Sequence, residues 1–89
     1  MIRELKEIEW SQEPGDPVYL RFTEAEVVRT EAYADGEVNV DLDDHDEVVG
    51  IEMLGTDSDE WETVFRIGKQ HDLRFDLLLS STKKGRPLS

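Results

Sequence analysis

No cysteine occurs among the 89 residues, which excludes a disulfide framework and a thiolate metal site. Basic side chains are scarce too: 10 Lys and Arg stand against 22 Asp and Glu, for a formal net charge of −12. That balance excludes a basic nucleic-acid binder, because contacts to phosphate need an excess of cations. No segment has the ~20 apolar residues that crossing a bilayer requires. The N-terminal stretch Met1-Ile2-Arg3-Glu4-Leu5-Lys6-Glu7-Ile8-Glu9 lacks the apolar run of about 7–15 residues of a secretory signal. A cytoplasmic protein without membrane contact is expected. The chain is also too short for a multidomain enzyme, since single domains commonly run to ~100–150 residues.

What is present suffices for one small two-layer core: 37% hydrophobic residues, with two Trp, two Tyr and three Phe. A single domain is expected over residues 1–82. The last seven residues, Lys83-Lys84-Gly85-Arg86-Pro87-Leu88-Ser89, hold three bases and no acid, and are read as a flexible basic tail, 83–89. A core this small also makes a homodimer a natural source of further burial.

Alternation of period two dominates the first two thirds, as expected of strands buried on one face. Val18, Leu20 and Phe22 fall on one side, with Tyr19 and Arg21 on the other. Pro14-Gly15-Asp16-Pro17 reads as a turn, so Ile8 and Trp10 end a preceding strand. Val27-Val28-Arg29-Thr30 is a third strand segment, and Asp35-Gly36 a type I′ hairpin turn. Val38, Val40 and Leu42 then alternate with Asn39, Asp41 and Asp43. The run Asp43-Asp44-His45-Asp46-Glu47 turns the chain, and Val49, Ile51 and Met53 line the next strand's inner face. After Gly55 the period changes. Asp57 or Ser58 caps a helix of about three turns whose Trp61, Val64, Phe65 and Gly68 follow helical spacing, laying Trp61 and Phe65 on the sheet. Leu73, Phe75, Leu77 and Leu79 return to period two as a final strand or, alternatively, a second helix. The fold expected is α+β: an antiparallel β-meander of four to six strands with one C-terminal amphipathic helix packed on one face.

Through Val18-Tyr19-Leu20-Arg21-Phe22, Val38-Asn39-Val40-Asp41-Leu42-Asp43 and Val48-Val49-Gly50-Ile51-Glu52-Met53-Leu54 the chain resembles the small prokaryotic domain-of-unknown-function family 2283, over about residues 8–55. Val27-Val28-Arg29-Thr30-Glu31 occupies the family's third element. The sequence departs from the pattern at Ser11, where Asp is usual, at Pro17, and at Asp46, which replaces a turn glycine. The resemblance implies a compact β-meander with a helix packed on it. It implies no activity; family members look like small accessory proteins, some of them partners of compact toxins.

No constellation of side chains points to catalysis. His45 and His71, 26 positions apart, give neither an acid–base pair nor metal-ligand spacing; they read as a turn residue and a charge near a helix C-terminus. Ser11, Ser58, Ser80 and Ser81 lack a nucleophile-elbow context. Asp41-x-Asp43-x-His45 with Glu52 copies part of a calcium loop. It fails at the position that requires Gly, held by Asp46, and at His45, which is no oxygen donor. No cofactor, no metal site and no enzymatic activity are expected.

The charge is the informative signal. Between Glu24 and Glu62 lie fifteen carboxylates and one base, Arg29, so this segment alone carries −14. Such a field repels nucleic acid and attracts cationic surfaces. Glu37, Asn39, Asp41 and Asp43 would project in a row repeating every ~6.8 Å, near twice the ~3.4 Å phosphate spacing along one nucleic-acid strand. The expectation is therefore a non-enzymatic acidic protein that docks a basic protein or nucleoprotein partner, such as a toxin or nucleic-acid-binding effector. By charge mimicry it would block that partner's access to nucleic acid, as an antitoxin or anti-defence inhibitor does. Glu37, Asp41, Asp43, Asp44, Asp46 and Glu47 are the candidate contact residues. The alternative is a homodimeric structural or scaffold protein, joined through the sheet's open face or edge, whose acidity serves solubility or a high-salt host. Tyr19, facing away from the core, would mark such a surface.

Overall fold

The computed structural model describes residues 3–9 and 17–75. In chain order these form β1 (Arg3–Glu4), β2 (Glu7–Glu9), β3 (Val18–Arg21), β4 (Arg29–Tyr33), a short 3-10 turn (Ala34–Gly36), β5 (Val38–Leu42), β6 (Val48–Met53), α1 (Ser58–His71) and β7 (Leu73–Arg74). Strands β2 to β6 make one antiparallel sheet with the helix following it, so the fold is α+β. The alternation seen in the sequence sets the register. Ile8, Leu20, Ile51 and Val40 lie side by side across four strands, and Val18, Met53, Val38 and Tyr33 form a second inner row. All of these except Ile8 and Tyr33 are buried, and those two pack against the core at the sheet edges.

The spatial order β2-β3-β6-β5-β4 contains one step that a strictly sequential meander lacks. β4, β5 and β6 do form a meander, and β2 and β3 a hairpin, but β3 pairs with β6 and the chain reaches the far edge through residues 22–28. Three inter-strand steps span roughly 14 Å, well within the roughly 23 Å that seven residues can reach. Val27 and Val28, expected within the third strand, lie in this connection and are 42% and 53% exposed. The connection touches the ladder at its two ends, where the Phe22 and Thr23 N–H groups donate to the Val49 carbonyl at 2.8 and 3.3 Å and the Val28 N–H donates to the Leu42 carbonyl at 2.8 Å. The strand itself runs from Arg29 to Tyr33.

The turns follow from backbone preference. Asp35 and Gly36 both take positive φ (+55° and +88°), and the Glu37 N–H donates to the Ala34 carbonyl at 3.0 Å, the arrangement that Asp-Gly favours. Asp46 stands at φ +61°, a conformation that glycine adopts more readily than a residue with a side chain. β6 carries a bulge: Asp41 pairs with Gly50 but Leu42 with Val48, which leaves Val49 as the extra residue. That single insertion changes the inner-face set. Val48 joins Ile51 and Met53 in the core cluster, and Val49, expected there, is buried outside it.

The helix begins at Asp57, whose N–H donates to Glu60 Oε1 at 3.0 Å in the return arm of a capping box. It ends at Asp72, held in the left-handed region with its N–H on the Gly68 carbonyl. Val64, Ile67 and Gly68 face the sheet. Trp61 is half-buried and packs against the core cluster as expected, whereas Phe65, expected beside it on the sheet, is 46% exposed and sits on the flank of the helix. The reason is angular: Val64 and Ile67 define a stripe that Phe65 lies ~100° away from. After the helix, β7 pairs in parallel with β1, and the Leu5 N–H donates to the Arg74 carbonyl at 2.8 Å. Trp10, residues 14–16 of the first proposed turn, Leu77, Leu79, the domain limit at 82 and the tail at 83–89 lie outside the described residues.

Candidate partner-binding surface

The six candidate acids are not gathered into one patch. Asp43 is 4% exposed. Its Oδ1 accepts the His45 N–H at 2.8 Å and the Glu47 N–H at 3.0 Å, and its Oδ2 accepts from the Arg3 guanidinium at 2.9 Å. The Glu47 N–H first, then the His45 N–H and Arg3, hold its carboxyl below the usual range, at about 2, against the opposing effect of burial. The row Glu37, Asn39, Asp41, Asp43 is therefore broken at its end. A side chain read as outward by alternation turns inward to build the β5–β6 turn. Glu47 joins the same clamp, 3.3 Å from Arg3 Nε, while Arg3 also donates to the Val48 carbonyl at 2.7 Å.

Asp41 stands on the outer face near the end of β5, between two hydroxyl donors. Tyr19 donates to Oδ2 at 2.8 Å from two strands away, and Thr30 donates to Oδ1 at 2.6 Å from the neighbouring strand. Burial, and then the bond to Asp41, push the Tyr19 phenol up from its ordinary value. The Arg21 guanidinium lies 5.1 Å from the Tyr19 ring centroid and bridges to Glu9 at 2.9 Å and Glu7 at 3.6 Å. Tyr19 thus faces away from the core, but its hydroxyl is committed within the molecule.

Asp46 is exposed and paired with Arg29, which also holds Glu31 at 2.9 Å. Bonds from Arg29 first, and from Tyr33 second, lower the Glu31 carboxyl. Asp44 is exposed beside His45, 3.6 Å from Nε2. Glu37 is exposed at the opposite end of β5, and five strand residues separate it from the Asp43–Glu47 turn by roughly 17 Å or more. Among the described residues no three His, Asp or Glu side chains converge to hold a metal ion.

A different set of acids has no cationic partner among the described residues. The Glu37 and Glu60 carboxylates approach each other around Gly55, where an added Cβ would sit 3.1 Å from Glu37 Oε1 and 3.3 Å from Glu60 Cδ. Glu52 on β6 pairs with Asn39 on β5 at the outer face, and Asp57, Asp59 and Glu62 surround the helix start. None of the ion pairs among the described residues involves Glu37, Glu52, Asp57, Asp59, Glu60 or Glu62. No Lys or Arg occurs between Thr30 and Phe65, and the arginines that neutralise the other turn reach it from residues 3 and 29. Against this end of the molecule lies a shallow groove lined by Ser58, Asp59, Trp61, Glu62 and Phe65. The sequence held a signal for it: Asp59 and Glu62 are spaced i, i+3 beside the i, i+4 pair Trp61 and Phe65.

No curated protein and no solved structure matches the chain. A family model matches residues 7–56, from β2 to just beyond β6, and stops short of α1. With more than half of its residues covered, the chain belongs to the family described as protein of unknown function DUF2283.

Proposed function

We propose that this protein is a non-enzymatic docking module for a basic protein partner of the nucleic-acid-handling kind, and that it obstructs the partner's access to RNA or DNA as an antitoxin or anti-defence inhibitor does. The observation that carries this reading is the separation of the acids into two populations. At the Asp43–Glu47 turn the carboxylates of Asp43, Asp46 and Glu47 are engaged by Arg3, Arg29 and backbone N–H groups, and Asp44 has only His45 beside it. Around Gly55 and the start of α1 they have no cationic partner among the described residues. An uncompensated field of one sign raises encounter rates with a cationic surface and disfavours nucleic acid itself. Glu37 is the one candidate from the sequence that belongs to this second population. Contact is thus assigned to Glu37, Glu52, Asp59 and Glu62 in place of the backbone-imitating row.

The scaffold alternative draws less support from the outer face. Its polar groups are engaged with one another through Arg21, Tyr19, Asp41 and Thr30, leaving little apolar surface to drive a face-to-face dimer. The test is titration with a small basic ribonuclease, reading both affinity and residual RNA cleavage across ionic strength. Saturable inhibition that weakens as salt rises is expected. Undiminished cleavage at stoichiometric excess in low salt would dismiss the reading.

A further inference from the structure

We propose that the groove on the flank of α1 is an arginine pocket: it receives a guanidinium group presented by the basic partner, between the aromatic surface of Trp61 and Phe65 and the carboxylates of Asp59 and Glu62. This rests on the docking reading above and adds to it the chemical group recognised.

Three observations converge on the assignment. First, the aromatic surface is fixed and outward. Trp61 and Phe65 stack with centroids 5.8 Å apart at 26°, yet Phe65 remains 46% exposed. Phe65 meets Phe75 edge-on at 5.2 Å, and Phe75 meets Phe22 edge-on at 5.6 Å. Since Phe22 is 1% exposed, the rings form a chain anchored in the core, and little conformational freedom is left to lose on binding. Secondly, the groove is lined by Asp59 and Glu62 as well as the rings, and neither acid enters an ion pair among the described residues. The helix start contributes about +0.5 charge, which Asp57, Asp59, Glu60 and Glu62 outweigh, so the groove favours a cation. Thirdly, the two kinds of lining select among cations. A metal ion needs converging donors, and no such group occurs among the described residues. An ammonium is a strongly hydrated point charge, whereas a guanidinium is planar, stacks on aromatic faces and forks to carboxylates. A neutral apolar guest would leave both carboxylates facing it unpaired.

The experiment uses the full chain carrying W10F, so that Trp61 is the sole tryptophan, titrated with acetyl-Gly-Arg-Gly-Arg-Gly-amide and with matched lysine and citrulline peptides. Saturable change of Trp61 fluorescence is expected with the arginine peptide, several-fold weaker affinity with lysine, and no response with citrulline. Asp59 and Glu62 are exposed, so D59N/E62Q folds, and it should weaken the arginine peptide by about fivefold. An equal response to citrulline or lysine, or full affinity retained in D59N/E62Q, would overturn the arginine assignment. If the basic ribonuclease binds with salt dependence while Trp61 and D59N/E62Q show nothing, the arginine pocket falls and the docking reading stands. If neither probe binds, both fall.

Discussion

The Tyr19 ring, whose backbone pairs with Glu52, leans diagonally over Gly50, so close that a Cβ at Gly50 would sit 2.1 Å from the Tyr19 hydroxyl oxygen. The absence of a side chain in the middle strand lets the ring span β6 and bond to Asp41 on β5 at 2.8 Å. Glycine weakens a strand in general; here it makes room for a tie between strands that are not neighbours.

Gly50→Ala should therefore destabilise the protein by about 1–3 kcal/mol, because the ring must move and its bond to Asp41 is lost. In a Tyr19→Ala background the same change should be neutral or stabilising, since alanine fits a strand better than glycine. Urea denaturation of the four proteins in this cycle gives the coupling energy directly.

The Asp43 carboxyl, held at about 2 by the turn N–H groups and Arg3, gives stability a defined acid dependence. A depressed folded-state value means the contribution is complete above the unfolded value near 3.8 and is lost as pH falls through about 2. Asp43→Asn should lower the urea midpoint at neutral pH, and its gap to the parent should close between about pH 4 and about pH 2. Arg3→Ala should behave similarly at neutral pH, while Asp44→Asn, on an exposed side chain, should leave the midpoint unchanged.

Much of this arrangement is legible before any coordinates, and the parts that are not share a cause. Local rules fix Val18, Leu20, Val38, Val40 and Leu42 as core, the turn at Asp35-Gly36, and the helix cap to Asp57 or Ser58, of which the fold uses Asp57. Long-range placement is another matter. Arg3 and Asp43 are 40 positions apart, and no spacing rule links them, so alternation alone places Asp43 outside. One bulge at Val49 exchanges which valine joins the core cluster. On the helix the 3.6-residue period admits more than one apolar stripe, and packing on the sheet selects Val64 and Ile67 over Phe65. The charge surplus was visible as a sum, but which acids meet arginines depends on strand order.

Gly68 supplies a second close approach. An added Cβ would lie 2.6 Å from Phe75 Cε2, where the aromatic chain passes the helix. In an open helix Gly→Ala gains about 1 kcal/mol. Here overpacking should reverse the sign, so Gly68→Ala should cost about 1 kcal/mol net. Combining it with Phe75→Leu should relieve the crowding and recover most of the loss, as read by thermal unfolding.

The central claim is that the acids around Gly55 and the start of α1, rather than those of the Asp43–Glu47 turn, form the docking surface. The most direct measurement compares the affinity of a small basic ribonuclease for the parent, for the fourfold variant Glu37→Gln, Glu52→Gln, Asp59→Asn, Glu62→Gln, and for a control neutralising Asp44 and Asp46, at low and high salt. The account predicts that the fourfold variant weakens binding by about sevenfold or more, at roughly 0.3–1 kcal/mol per charge, that salt weakens the parent, and that the control binds as the parent does. Equal affinity of parent and fourfold variant, or a loss confined to the control, would contradict it.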